Sequence, residues 1–386
     1  MPTKPTLFVR PEVRRYGPGE AARLASDLLA SSTSTLVEEV ASASSLRLKP
    51  DGSVAGGRRY TVEGLRQVCQ VACPGLFQVV ADMAGTGRRT ARDDGDVPGS
   101  IVDATAIFNR VIELRFDSLF AARQRLIVDL RARTIDGLLG PGYTQIENVE
   151  VFERAAEAAL QAGDQVLDRA TLAGRLMTAR FASLSPLFSI DAPPGVDGDD
   201  AFHAGTHLVN SEVGGESTLR AAPALRRARD GTCSLGRWLG GRRVHAGREF
   251  RRKAETMFAE AAAAEPDAAR TRAAMLALRA ASLGLAGDTV RRAERLEAIV
   301  SRLRDAGLQL TVARRVALDA AYRGAYGPPG QVPAGPDDLT AASGRRSSFD
   351  LYAALTAAGR DLYDHGQHEG PERAAHALLH GRMKLN

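Results

Sequence analysis

The sequence predicts an α+β fold in which a mainly antiparallel sheet with flanking helices precedes a helical C-terminal third. Residues 201–219 combine β-forming side chains with the pair Gly214-Gly215, a pattern typical of a hairpin. Beyond Gly247 the chain becomes rich in Ala, Arg and Leu, with apolar residues at helical spacing. Strands followed by a run of helices are typical of an α+β arrangement.

Three regions follow from these changes of pattern. We expect an N-terminal helical segment over 1–45, an α+β core domain over 46–246 and a helical region over 247–386. With 386 residues, 44% of them hydrophobic, the chain can bury a sizeable core. Aromatic residues make up only 5%, so Leu, Val and Ala must fill most of that core.

The first half of the chain shows both helical and extended patterns. Helical spacing predicts a helix over 19–30, and residues 46–52 read as a short strand that runs into a turn. Thr61 is placed to cap a helix over 62–71, because a threonine oxygen can accept a free amide of the first turn. A further helix is expected over 101–114.

The core sheet is predicted from the next three apolar segments. Residues 126–130 alternate as a strand that is buried mainly on one face. Asn148 is expected to cap a helix over 149–162, and two strands follow over 165–169 and 175–181.

The hairpin over 201–219 is the most distinctive stretch. Gly214 and Gly215 supply the positive φ that a tight turn needs. Asn210, Ser211 and Glu212 lie beside that turn, where short polar or acidic groups can bind backbone amides or a ligand. Strand alternation predicts that Asn210 and Glu212 point to one side and Ser211 to the other.

The C-terminal third is predicted to be helical throughout. Glycines at 284, 287 and 307 fall between apolar-periodic segments and mark breaks. The expected helices cover 248–264, 267–285, 288–305, 310–326, 348–363 and 372–379.

Composition narrows the class of protein. The chain carries 51 Lys and Arg against 46 Asp and Glu, a balance that suits binding to a polyanion but also follows from a GC-rich genome. Its three cysteines form no CxxC pair, which argues against a disulfide framework and a cysteine-rich zinc site. No signal peptide and no run of eighteen apolar residues is found, so we expect a cytoplasmic protein without a membrane partner.

A basic strip follows the hairpin. Between residues 226 and 253 stand ten basic residues and only two acidic ones, Asp230 and Glu249. Arginine forks bind phosphates, and the single tryptophan lies in the strip, where an exposed indole stacks on a base and a buried one packs in the core. The predicted nucleic-acid-binding residues are Arg226, Arg227, Arg229, Arg237, Trp238, Arg242, Arg243, Arg251, Arg252 and Lys253.

Several motifs, in order over residues 60–380, resemble a family of phage- and plasmid-encoded proteins, domain of unknown function 932. The early helix Tyr60–Val68 and the block Tyr143-Thr-Gln-Ile-Glu-Asn are similar to that family, and Asn210-Ser-Glu-Val-Gly is the most specific match. Arg243-Val-His-Ala-Gly and the helix from Phe349 continue the resemblance. The family's Cys after the hairpin is missing, and Asp230-Gly231 replaces Asn-Gly. The resemblance implies carriage by phages or plasmids but no activity or residue role.

Candidate catalytic groups are sparse. His203, His207, His245 and Glu212 are of metal-ligating type, but four residues along a strand separate two side chains by about 13 Å. Cys233 and His245 lack an identifiable orienting group, and no phosphate-binding loop stands out. We therefore assign no catalytic residue, no metal and no cofactor.

Three hypotheses remain at this point. The first is a DNA-binding protein of phage or plasmid replication or recombination, acting on single strands by binding or annealing. The second is a phage structural or host-interaction protein whose C-terminal helices form a homo-oligomer. The third is a metal-dependent enzyme that uses His203, His207 or His245.

Overall fold

A computed structural model of the chain shows a large and a small β-sheet with helices around them. It describes residues 6–31, 36–84, 100–119, 124–140, 143, 145–193, 196–213, 219–240, 250–264, 266–286, 288–326, 346–362, 369–383 and 385. The strands are β1 Val13–Tyr16, β2 Leu36–Val40, β3 Arg59–Tyr60, β4 Arg125–Asp129, β5 Thr134–Leu139, β6 Gln165–Ala173, β7 Leu176–Ser183, β8 Phe188–Ile190, β9 Asp200–Ser211, β10 Arg220–Arg227, β11 Cys233–Leu235 and β12 Leu239–Gly240. The helices are α1 Ala21–Ser31, α2 Ala43–Leu46, α3 Val62–Ala72, α4 Leu76–Met83, α5 Ile101–Leu119, α6 Asn148–Gly163, α7 Phe250–Ala263, α8 Ala268–Ala280, α9 Thr289–Asp305, α10 Leu310–Tyr322, α11 Ser348–Leu362 and α12 Glu369–Leu379.

The predicted α+β class is confirmed. The large sheet runs in the order β1-β6-β7-β9-β10-β11, with β8 paired to β9 and β12 paired to β10, and its neighbouring strands are antiparallel. The small sheet runs β2-β4-β5-β3, and only the β3–β5 pair in it is parallel. The six C-terminal helices follow β12.

The first 45 residues differ from the helical segment that we predicted. They contain α1, but β1 pairs with β6 of the large sheet and β2 pairs with β4 of the small sheet. The strand predicted over 46–52 is wrong, because Leu46 ends the short helix α2, whose Ser42 and Ser45 form a reciprocal capping box. The described part of this segment is therefore integrated into both sheets through β1 and β2.

Helix caps were predicted with mixed success. The Thr61 hydroxyl accepts the amide of Gly64 at 3.1 Å, so the predicted cap of α3 is confirmed. Asn148 is not the cap of α6, since Glu147 holds that position and Asn148 is the first helical residue. The Asn148 side chain instead bonds to Asn210 and to the Arg175 carbonyl.

The two strands of the predicted hairpin are present. β9 and β10 pair antiparallel from Val209 opposite Arg220 to Phe202 opposite Arg227. β9 ends at Ser211 and β10 begins at Arg220, so the second strand lies farther along the chain than predicted. Gly214 and Gly215 lie outside the described residues.

The core forms three main apolar clusters. One joins α8–α12 to Phe188, Phe202 and Leu225 of the large sheet, and a second lies between the small sheet and α3–α5. The third packs α1, α6 and α7 against β1, β6, β7, β9 and β10 of the large sheet. No helix in the described part of the chain is long and apolar enough to cross a membrane.

Gly205, in the middle of β9, marks a close approach of two strands. A Cβ at this position would lie 2.3 Å from the Phe181 carbonyl oxygen. We predict that Gly205→Ala destabilises the protein by about 1–3 kcal/mol, because the backbone of β7 must move. Chemical denaturation checks this. Gly370→Ala is the control, because nothing lies within 4 Å of the added methyl and alanine favours a helix, so no loss is expected.

Candidate nucleic-acid interface

The first part of the basic strip is held in ion pairs within the fold. Arg226 contacts Asp168 at 2.7 Å, and Arg229 contacts Asp200 at 2.8 Å. Arg227 bonds to both carboxylate oxygens of Asp200, at 2.9 and 3.0 Å, and its side chain is only 1% exposed. The prediction that Arg227 contacts phosphate is therefore wrong, since a buried guanidinium already paired with carboxylate cannot reach a ligand.

Asp200 is the centre of this ion-pair cluster. Burial opposes its ionisation, but the hydrogen bonds and charge of Arg227, with Tyr326 and Arg229, outweigh burial and lower its pKa. The Tyr326 hydroxyl donates to Asp200 at 2.6 Å, and the Arg227 guanidinium stacks over the rings of Tyr326 and Phe349. The cluster ties the C-terminal helices to β9 and β10 and has a structural role.

Trp238 is half-buried and in contact with neighbouring side chains. The Arg220 guanidinium lies 4.6 Å from the centre of its ring, and the His207 ring lies at 5.4 Å. Arg220 also forms an ion pair with Glu369 on α12. The indole face that Arg220 covers is not open to a nucleic-acid base, which disfavours the predicted stacking role of Trp238.

The other residues of the basic strip are either exposed or outside the part of the chain that the structure describes. Arg237 is exposed, as are Arg252 and Lys253 on α7. Arg242 and Arg243 lie outside the described residues, as does the side chain of Arg251. We call Arg237, Arg252 and Lys253 the α7 basic surface.

Helix α7 begins with an unfavourable distribution of charge. Its first turn contains Arg251, Arg252 and Lys253 and no acidic residue. Cations at the positive end of a helix dipole cost about 0.3–1 kcal/mol each when they are exposed. The same arrangement favours an anion, because free helix amides and basic side chains then act on it together. The α7 basic surface is thus the part of the strip best suited to phosphate.

Packing places β12 against the same helix. A Cβ on Gly240 would lie 2.3 Å from the Met257 sulfur, so the backbone of β12 approaches α7 closely. Gly240 has a φ of +87°, which favours glycine. Lys253 is one turn before Met257 on α7, and Arg237 is three residues before Gly240. The close packing places β12 next to α7, and Arg237 lies in the segment between β11 and β12.

The block Asn210-Ser211-Glu212 is buried rather than exposed at a turn. The exposed fractions of the three residues are 0%, 3% and 3%. Asn210 donates to the Ile146 carbonyl at 3.1 Å and to Asn148 at 2.8 Å. Glu212 accepts the Asn148 amide at 2.8 Å. The block therefore fastens the end of β9 to the start of α6, and Glu212 accepts a backbone amide, one of the two roles that the sequence left open.

Glu212 also belongs to a buried charge network around Arg175, in the turn between β6 and β7. The guanidinium contacts Asp129 at 2.5 Å, Asp136 at 3.1 Å and Glu212 at 3.4 Å, and it donates to the Ser31 carbonyl at 2.6 Å. Burial raises the pKa of Asp136 and of Glu212, although Arg175 opposes both shifts. Because Asp129 and Asp136 belong to the small sheet, Arg175 joins the two sheets.

A cavity of about 600 Å³ adjoins this network. Its charged lining is balanced, with four arginines against four carboxylates: Arg10, Arg14, Arg131, Arg175, Glu12, Asp27, Asp129 and Asp136. A balanced lining selects neither an anion nor a cation, so this cavity adds nothing to the nucleic-acid hypothesis.

Among the described residues, His203, His207 and Cys233 do not form a reactive centre. His203 contacts the Ser183 carbonyl at 2.9 Å, His207 is buried against Trp238, and His245 lies outside the description. Within the described ranges, no group of three or more His, Cys, Asp or Glu residues could hold a metal ion. Burial raises the pKa of Cys233 to about 12, so this side chain stays a thiol at neutral pH.

The sequence reasoning missed Arg175 and its partners Asp129 and Asp136. These residues come from three separate turns and strands, and no local pattern links them. It also missed the pair of Arg180 with Glu372, which joins β7 to α12 and is at most 1% exposed. Neither contact follows from spacing, because only the folded sheets bring the residues together.

No protein family, curated protein or solved structure that we compared with the chain matches it. The resemblance to the phage and plasmid family therefore stays a prediction.

Proposed function

We propose that the protein binds single-stranded DNA through phosphate contacts at the α7 basic surface. The observation that carries the proposal is the first turn of α7, where three basic residues stand at the positive end of a helix without an acidic neighbour in that turn. The positive end of the helix dipole and these basic side chains would both favour a bound phosphate. Arg252 and Lys253 are exposed.

The mode of binding that we propose relies on the DNA backbone. Only 5% of the residues are aromatic, and Trp238 is packed against Arg220 and His207. Base stacking would need open aromatic faces, whereas phosphate contacts need exposed basic side chains and carry no sequence information. We therefore expect binding that depends little on base sequence and strongly on salt.

The biological setting is part of the same proposal. The resemblance in the Asn210-Ser-Glu-Val-Gly block implies a phage- or plasmid-encoded protein, for which a role in DNA replication or recombination is natural. Single-strand annealing is one such role and rests here on analogy of fold class alone.

The alternative is an assembly protein whose C-terminal helices bind further copies. The apolar faces of α8–α12 pack on one another and on Phe188, Phe202 and Leu225 of the chain's own sheet. These faces are thus already covered within one chain, which favours DNA binding over the assembly role.

Neutralising two residues of the α7 basic surface tests the proposal. We predict that Arg252→Gln with Lys253→Gln weakens binding to a 5′-hydroxyl oligothymidine roughly 25-fold at about 0.1 M salt, because each lost phosphate contact removes about 0.7 from the log–log salt slope. The free energy of unfolding should stay equal or rise, since two charges leave the positive end of α7. Fluorescence anisotropy and chemical denaturation give the two values.

The control removes two charges elsewhere. Arg110 on α5 and Arg131 between β4 and β5 are exposed, so Arg110→Gln with Arg131→Gln should change DNA affinity less than about twofold. An equal loss of affinity in both double variants would refute the α7 site, as would a wild-type protein that binds no DNA. Tighter binding to a duplex of equal length would refute the preference for single strands.

A further inference from the structure

A second cavity lies where β10, the start of α8 and the end of α12 meet. Its volume is about 380 Å³, within the range of roughly 300–1,000 Å³ that is usual for small-molecule sites. Its lining combines basic and apolar residues. The basic residues are Arg270, His376, His380 and Arg382, and the apolar residues include Pro223, Leu225, Pro266 and Leu379.

The two arginines keep their charge available to a ligand. Arg270 and Arg382 are exposed, and neither has a carboxylate at ion-pair distance among the described residues. Asp267 is the carboxylate in the described lining, and its side chain already accepts the Arg270 amide at 2.9 Å. The two arginines therefore outnumber the one carboxylate in the described lining, and that carboxylate already caps α8.

The positive charge of the arginines acts on the two histidines. Their rings lie 4.3 Å apart, with His376 in the last turn of α12 and His380 directly after its end. Burial, followed by His380 and Arg382, lowers the pKa of His376 to about 4. Burial, Arg382 and Arg270 lower the pKa of His380. Both rings are thus neutral at pH 7, and each has one N–H to donate.

We propose that this cavity binds a phosphomonoester. Its oxyanion would lie between Arg270, Arg382 and His380, where guanidinium and imidazole N–H groups can donate to it. The group attached to the phosphate would pack against Pro223, Leu225 and Leu379. A bare anion would make no use of these apolar lining residues, which is why we favour an ester.

This site is separate from the α7 basic surface. Ala264, at the C-terminal end of α7, lines the cavity, whereas Arg252 and Lys253 lie in the first turn of the helix. A helix of 14 residues is about 20 Å long, so the two sites are at opposite ends of it. The phosphomonoester site does not rest on the proposed DNA binding, and either can fail alone.

Calorimetric titration with inorganic phosphate and with a nucleoside 5′-monophosphate tests the site. The double variant Arg270→Gln with Arg382→Gln should weaken both at least about tenfold, because charge-assisted hydrogen bonds are lost. Both residues are exposed, so the variant should keep its fold. Arg272→Gln is the control: it removes one exposed charge from the same helix but not from the cavity, and affinity should be unchanged. Absence of binding by the wild type, or equal loss in the control, would overturn the proposal.

A sulfate titration followed by histidine NMR tests the same site through protonation. Sulfate keeps its charge between about pH 4 and pH 7, whereas phosphate does not. His376 lines the cavity together with Arg270, Arg382, His380 and Asp267. Bound sulfate should raise the pKa of His376, so sulfate affinity should rise as the pH falls through the raised value. A His376 pKa that saturating sulfate leaves unchanged would contradict the site.

Two oligonucleotides distinguish whether the natural ligand is the end of a DNA strand or a free small molecule. If the natural ligand is the end of a DNA strand, a 5′-phosphorylated oligonucleotide should bind more tightly than its 5′-hydroxyl form, and Arg270→Gln with Arg382→Gln should abolish the difference. If it is a free small molecule, the two oligonucleotides should bind equally while the nucleoside monophosphate still binds. Either result supports the phosphomonoester site. The site is overturned if the nucleoside monophosphate does not bind and the 5′-phosphate does not increase the affinity of the oligonucleotide.

Discussion

Replacing Arg175 by Met should destabilise the protein by about 3–5 kcal/mol, because it removes the cation from a buried group of three carboxylates. Asp129, Asp136 and Glu212 all contact the guanidinium, and the Arg175 side chain is 8% exposed. Methionine keeps much of the volume, so the loss is one of charge rather than of packing. Because the guanidinium joins the two sheets, we expect the small sheet to lose its attachment first.

The same variant should show a distinct pH dependence. The pKa values of Asp136 and Glu212 are raised in the folded protein, so their contribution to stability is full below their ordinary pKa and is lost as the pH rises through the folded value. Arg175 lowers both pKa values, so in Arg175→Met the two pKa values rise further. The loss of the stability contributed by these two carboxyl groups then extends to higher pH. The loss of stability in Arg175→Met relative to the wild type should therefore be largest at neutral pH and become smaller as the pH falls.

Urea denaturation at a series of pH values measures both effects. Arg131→Met is the matched control, because Arg131 lines the adjoining cavity but is exposed, and its loss should cost less than about 0.5 kcal/mol. If Arg175→Met loses little stability, or loses more as the pH falls, the guanidinium does not neutralise these carboxylates.

The second large effect is expected at the pair of Arg180 and Glu372, which joins β7 to α12. Glu372→Met should cost about 3–5 kcal/mol, because it removes the carboxylate partner of a guanidinium that cannot lose its proton. Arg180→Met should cost less, since Glu372 can then take up a proton. The double replacement by methionines should recover much of the loss, because a buried ion pair can be exchanged for apolar side chains. A double-mutant cycle by denaturation gives the coupling.

Glu372 should also make the stability of the wild type depend on pH. Burial raises its pKa from 4.5 to about 7, while Arg180 opposes the shift. A raised folded pKa means that the contribution to stability is full below about pH 4.5 and is lost as the pH rises through about 7. Glu372→Gln keeps an acceptor for Arg180 without titrating, so its stability should vary less over this window. If the stability of Glu372→Gln varies with pH as much as that of the wild type, Glu372 is not the source of this pH dependence.

Local patterns predicted most of the elements. Apolar spacing located α1, α3, α5, α6 and the six C-terminal helices, and alternation located β4, β6, β7 and β9, because each of these signals lies within one segment. β1 and β2 were missed because they are strands of 4 and 5 residues that gain stability only by pairing with β6 and β4. Such pairing depends on distant segments, which a local pattern does not contain.

The candidate site was predictable only in part, for a similar reason. The sequence showed the concentration of charge after the hairpin but not that Asp168 and Asp200 neutralise Arg226, Arg227 and Arg229. Both aspartates lie on other strands, β6 and β9, and only sheet formation brings them to β10. The exposed residues on α7 could be anticipated, because the first turn of a helix and its charges are local features.

The measurement that tests DNA binding most directly is the salt dependence of affinity for a 5′-hydroxyl single strand. We predict that the logarithm of the wild-type association constant falls linearly with the logarithm of salt concentration, and that the slope of Arg252→Gln with Lys253→Gln is shallower by about 1.4, which is about 0.7 for each lost phosphate contact. Equal slopes for the two proteins, or a wild-type affinity that does not change with salt, would contradict phosphate binding at the start of α7.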